Sequence, residues 1–87
     1  MVGHESDTRK SEAAIRAWLT ETISALLQID PEEVRPRAAF ADLGLESVSA
    51  LQLIGRVEQE YGCPVDPAEL MSHPNTESFA RFIAAQL

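Results

Sequence analysis

Apolar and polar positions alternate with a helical period along most of the chain. From Ser11, the residues Ile15, Trp18, Leu19, Thr22, Ile23, Leu26 and Leu27 recur at spacings of three and four. That is one stripe of a 3.6-residue repeat, and it predicts a first helix. Ser11 is placed to cap it, and Glu12 suits the positive end of its dipole. The helix is expected to stop near Gln28, because Pro31 forces its predecessor out of helical conformation. Periodicity then lapses from Ile29 to Glu46, a stretch holding Pro31, Pro36 and Gly44. A connection that long in a small domain is often functional. Val34, Phe40, Leu43 and Leu45 are spaced to pin it to the core, with one short helical turn around Ala41 to Leu43.

A second helix is expected from about Ser47 to Tyr61. Ala50, Ile54, Val57 and Tyr61 form its buried stripe, flanked by Leu51 and Leu53. Gly62 stands where a left-handed cap would close it, and Cys63-Pro64 is extended. Asp66-Pro67-Ala68-Glu69 carries the marks of a short third helix: a capping aspartate, proline at the first position and glutamate three residues after the cap. It spans Leu70 and Met71 and ends before Pro74. Asn75 or Thr76 caps a fourth helix, where Phe79, Phe82, Ile83 and Leu87 repeat at helical spacing. The reading is all-α: a small four-helix bundle of three long helices and a short third one, with a long loop between helices 1 and 2. Residues 1–10 read as a flexible polar tail, and 11–87 as the folded domain. There is no internal repeat or low-complexity tract.

Composition narrows the function. A chain of 87 residues is one domain, with little room for an enclosed active site beside its core. The formal charge of −7, from 14 acidic and 7 basic residues, disfavours nucleic acid and anionic membranes and favours partners with basic surfaces. Solubility alone accounts for such a charge about as well. No apolar run has membrane-spanning length, and no signal segment is visible. One cysteine, Cys63, excludes an internal disulfide. A reducing cytoplasm is the expected location. His4 and His73 have no metal-ligand spacing around them, and no metal is expected.

Catalytic constellations are weak. Ser47 lies in Leu45-Glu46-Ser47-Val48-Ser49, not in a G-x-S-x-G elbow. Cys63 has no CxxC partner and reads as a small semi-buried residue. What stands out is Phe40-Ala41-Asp42-Leu43-Gly44-Leu45-Glu46-Ser47-Val48, a long loop ending on a serine that opens a helix. From local pattern alone Ser47 reads first as an N-cap. The same position would also suit a phosphate ester, since the first-turn N–H groups and the dipole favour anions.

The string FADLGLESVSALQL resembles the attachment motif of acyl carrier proteins and related thiolation domains, F-x-x-x-G-x-D-S followed by a hydrophobic residue. Phe40, Leu43, Gly44, Leu45, Ser47 and Val48 carry the match. It continues through Leu51, Val57-Glu58, Tyr61-Gly62, Val65, Pro74 and Thr76, from Ile15 to Leu87. Ile15-Arg16-Ala17-Trp18-Leu19 and His73-Pro74-Asn75-Thr76 bring it nearest to carriers of polyketide synthases and of systems fed by acyl-activating ligases. The fatty-acid type is less similar, because its second helix carries more acid. Glu46 departs from the usual aspartate by one methylene.

The resemblance implies a non-catalytic carrier. A phosphopantetheinyl transferase, with magnesium close by, would move 4′-phosphopantetheine from coenzyme A to Ser47. The arm would then hold acyl intermediates as thioesters. An acyltransferase, ketosynthase or acyl-activating ligase would be met by transient docking, the carrier itself being a monomer. Docking is expected around the start of the second helix, at Asp42, Leu45, Glu46, Val48, Gln52 and Arg56. Two alternatives stay open: a peptidyl carrier with an aminoacyl cargo, and an unmodified helical interaction module in which Ser47 only caps. Met1 and the lack of linker composition lean toward a free-standing chain rather than an excised domain.

Overall fold

The computed structural model describes residues 10–87. His4 and all but the last residue of the expected tail lie outside that range. Five α-helices and one 3₁₀ turn make up the described chain: α1 (Glu12–Leu27), the 3₁₀ turn Pro31–Glu33, α2 (Phe40–Leu43), α3 (Val48–Tyr61), α4 (Glu69–Ser72) and α5 (Thr76–Gln86). The described residues contain no strand. The all-α bundle is thus as expected, with α2 in the place foreseen for a short turn.

Helix α1 turns Ile15, Leu19 and Ile23 fully inward and leaves Trp18, Leu26 and Leu27 half-buried against the core. Ser11 caps it, its Oγ accepting from the Ala14 N–H at 3.1 Å. The helix ends without help from Pro31. Gln28 takes a left-handed conformation (φ 57°), and the N–H groups of Gln28 and Ile29 both reach the Ser24 carbonyl. This is the usual way of satisfying the last carbonyls of a helix. Asp30 then caps the 3₁₀ turn, accepting from the Glu32 N–H at 2.8 Å while the Glu33 carboxylate reaches back to the Asp30 N–H.

In α3 the buried residues are Leu53, Ile54 and Val57. Leu53, expected only at the flank, is fully buried, whereas Ala50 and Tyr61 are half-buried. The helix presents a narrower, slightly rotated stripe than the spacing suggested, centred on Leu53, Ile54 and Val57. Trp18 sits at the bundle edge, edge-on to Tyr61 with ring centroids 5.3 Å apart. Helix α5 contributes Phe79, Ala80 and Ile83, all fully buried, and it packs along α1 more extensively than any other pair of helices. Leu87, read as part of that repeat, is exposed at the helix end.

The short helix α4 opens differently from its motif. Asp66 accepts from the Ala68 N–H at 2.8 Å, but the Glu69 carboxylate does not return to Asp66. It meets His73 Nε2 at 3.5 Å, and that imidazole stacks on Phe82.

The long connection is fastened at both ends. Val34, Phe40 and Leu45 are buried. Backbone bonds tie it to the start of α5: the Phe40 N–H donates to Pro74 O at 2.7 Å, and the Glu77 N–H to Pro36 O at 3.0 Å. Buried Thr76 donates its hydroxyl to the same Pro36 carbonyl, and Arg37 pairs with Glu77 at 3.1 Å. Asn75, rather than Thr76, caps α5, accepting from the Ser78 N–H at 2.9 Å. These bonds fix the loop that delivers Ser47 to the mouth of α3.

Candidate functional site

The turn before α3 is built from glycine chemistry at one point and from strain at another. Gly44 closes α2 at φ 94°, and the Leu45 N–H then bonds back to Phe40 O at 2.9 Å. A left-handed backbone of that kind favours glycine. Leu45 drops into the core, 4 % exposed. Of its two expected places this supports the one that pins the loop to the core and corrects the one among the partner-facing residues: after the reversal at Gly44 its side chain is buried and anchors the loop.

Ser47 stands at the N-cap position of α3 with φ 49° and ψ −109°. The Ser49 N–H reaches Glu46 O at 3.2 Å. That bond and those angles match a type II′ turn with Ser47 at its first central position, a place normally held by glycine. A non-glycine residue there costs on the order of 1–3 kcal/mol. The expected cap is absent: the Ser47 carbonyl accepts from the Leu51 N–H at 3.1 Å, but its side chain makes no cap hydrogen bond. Ser49 engages Glu46 instead, its Oγ accepting from the Glu46 N–H and donating to the Glu46 carbonyl, both at 3.0 Å. Ser47 is exposed, and its hydroxyl is left out of the helix start.

Beside Ser47 opens an apolar groove of about 500 Å³ between α3 and α4. Phe40, Leu45 and Ile54 form its floor; Leu51, Leu70 and Met71 form its walls. Two of the wall side chains face solvent, Leu51 at 58 % and Met71 at 85 %; Val48, in the first turn of α3 and outside the groove lining, is 68 % exposed. Val48 was expected outward. Leu51, expected at the flank of the buried stripe, and Met71, expected in the short helix, are both exposed. Asp42 and Glu46 are exposed on the loop side. Gln52 and Arg56 are exposed farther along α3, where with Gly55, Glu58 and Gln59 they line a shallow polar depression. The first turn of α3 carries no acid, so the negative charge near Ser47 comes from the loop side, at Asp42 and Glu46.

Other reactive groups stand apart. Cys63 is buried, and burial pushes its thiol pKa up; a backbone hydrogen bond at Cys63 offsets this in part, and the nearby Glu58 charge adds to it. A thiol held protonated is a poor nucleophile. Among the described residues no group of three His, Cys, Asp or Glu side chains could hold a metal ion. No helix there is long and apolar enough to cross a membrane.

The arrangement suits a covalently attached phosphate ester. It offers a free hydroxyl on a fixed turn, the positive end of a 14-residue helix and an apolar trough alongside. Comparison with known proteins agrees. Residues 17–83 match the family model described as "Phosphopantetheine attachment site". The polyketide synthase PksL of Bacillus subtilis (strain 168) is 30 % identical over 83 residues, which is 95 % of this chain and 2 % of that protein. This chain therefore spans a small fraction of the relative's length. Two solved structures share the fold. A free-standing peptidyl carrier protein from an Acinetobacter baumannii secondary metabolic pathway superposes with a TM-score of 0.84 at 23 % identity, covering 88 % of this chain and 96 % of its own. The HMG-ACPI domain of the CurA module from Lyngbya majuscula gives 0.83 at 22 % identity, covering 90 % and 79 %.

Proposed function

The chain belongs to the phosphopantetheine-attachment family, and from that premise we propose that it is an acyl carrier of the polyketide type, with Ser47 as its attachment residue. Domains of this family are in general carriers, and the family implies covalently bound 4′-phosphopantetheine. The observation that supports Ser47 most is its exposure, with a hydroxyl unused by the helix cap and set beside the apolar groove. Bound there, the arm supplies a thiol that holds cargo as a thioester.

The chain's own residues do three things. Ser47 provides the nucleophilic oxygen and the linkage. The loop bonds to Pro36 and Pro74 hold that oxygen at a fixed place on the surface. Exposed Val48, Leu51 and Met71 give partner synthase enzymes a small apolar contact, with Asp42, Glu46, Gln52 and Arg56 around it to select among them. A patch this small fits brief encounters, as a shuttling carrier requires. Tethering raises the local concentration of cargo at whichever enzyme is docked.

The cargo class is tested by loading. The modified chain is offered, in parallel, to acyl-activating or acyl-transferring enzymes and to aminoacyl-activating enzymes, and the products are weighed intact. Preference for acyl groups supports the proposal; preference for aminoacyl groups makes the chain a peptidyl carrier instead.

Docking carries its own prediction. In Val48→Asp the new carboxylate stands in the first turn of α3, where it favours the helix, so stability should move by less than about 0.5 kcal/mol. Losing an apolar anchor at the contact should slow acyl transfer to a partner synthase by about tenfold or more. Equal transfer rates for V48D and wild type would remove Val48 from the docking surface.

A further inference from the structure

We infer that Ser49 is a positioning residue for the modification of Ser47, an assignment that rests on Ser47 being the attachment site. A serine opening a helix normally spends its hydroxyl on the first turn, giving a lone pair to a backbone N–H. An oxygen so committed is aimed along the helix and is partly blocked as a nucleophile. At Ser47 the commitment is absent, and the backbone is held at φ 49° and ψ −109°, away from the geometry that would allow it.

Ser49 accounts for this. Its Oγ accepts from the Glu46 N–H and donates to Glu46 O, both at 3.0 Å, and its own N–H reaches the same carbonyl at 3.2 Å. Three bonds from one residue close the turn that runs over Ser47. The side chain two positions on therefore serves the loop end, and the attachment oxygen keeps both lone pairs free. Ser49 is half-buried and is not part of the groove wall.

In the transfer, the Ser47 Oγ–P bond forms as the P–O bond to the adenosine 3′,5′-diphosphate half of coenzyme A breaks. That half leaves with the bonding electron pair, and the hydroxyl proton passes to a base on the transferase. Ser49 enters none of these bonds. It sets where the oxygen stands when they change.

The test uses the full chain with coenzyme A, magnesium and a phosphopantetheinyl transferase, comparing wild type, Ser49→Ala and Ser49→Thr well below their melting temperatures. Threonine keeps the hydroxyl. Because a misplaced nucleophile about 1 Å off loses up to two orders of magnitude, kcat for S49A should fall about tenfold while KM for the carrier stays within about twofold. S49T should restore kcat. Scalar couplings at Ser47 should report a positive φ in wild type and S49T, and its loss in S49A. Wild-type kcat in S49A, or an equal fall in S49A and S49T, rejects the positioning role and leaves the attachment reading standing. Wild type that gains no group at Ser47 overturns both.

Discussion

Ser47→Gly should leave the chain folded, at least as stable as wild type, and unable to accept the prosthetic group. The backbone at Ser47 lies at φ 49° and ψ −109°, a region that glycine enters without steric penalty. Relief of about 1–3 kcal/mol of strain is set against about 0.4–1 kcal/mol of extra unfolded-state entropy. The net is a rise of zero to about 2.6 kcal/mol, and each kcal/mol is worth about 4–8 °C in melting temperature for a domain of this size. Ser47→Ala keeps the β-carbon and the strain, so it should melt close to wild type. Both variants should load nothing. A serine that merely capped α3 predicts losses for both instead: alanine there would fall about 0.5–2 kcal/mol below wild type and glycine a few tenths. Thermal melts of the three proteins, read with a loading assay, separate the two accounts.

Phe79→Ala should have the largest effect on stability. Phe79 is fully buried, edge-on to Phe40 with centroids 6.0 Å apart and beside Phe82 at 6.1 Å. Removing a ring from such a place costs about 3–5 kcal/mol. A domain of 87 residues has roughly 4–13 kcal/mol in all. The variant should therefore be marginal or unfolded, with a lower urea midpoint and an unchanged slope if it still folds as one unit. Function should follow stability here, since Phe40 opens α2 and its backbone fastens the loop to Pro74. A loss of unfolding free energy of less than about 1 kcal/mol would mean that the aromatic cluster does not hold the loop.

Long-period patterns were readable from the residues, and bonds made by single side chains were not. The stripe Ile15, Leu19, Ile23 and the repeat Phe79, Ile83 face the core because burial selects a helical period, which sequence displays directly. Gly44 and Gly62 stand in left-handed caps, for which glycine is the natural residue. Leu45 was expected both to pin the loop and to meet partners, because a loop has no period to tell inward from outward; burial supports only the first. Its direction is set by the reversal at Gly44, a three-dimensional fact. Ser47 was read as a cap because serine before a helix usually is one. The competing signal was Ser49, a second hydroxyl two residues on, able to take over the bonds to Glu46. Glu69 likewise fitted a capping box by spacing, but His73, one turn on, offered it another partner. Leu51 and Met71 look like core residues by type, and only the packing shows that the groove leaves them in water.

The account turns on one oxygen. Wild-type chain and Ser47→Ala are incubated with coenzyme A, magnesium and a broad-specificity phosphopantetheinyl transferase, weighed intact, and then digested so that peptide fragmentation locates any added mass. The prediction is a gain of one phosphopantetheine on the wild type, carried by Ser47, with S47A unchanged. A gain that persists in S47A, or that maps to Ser49 or another hydroxyl, contradicts it.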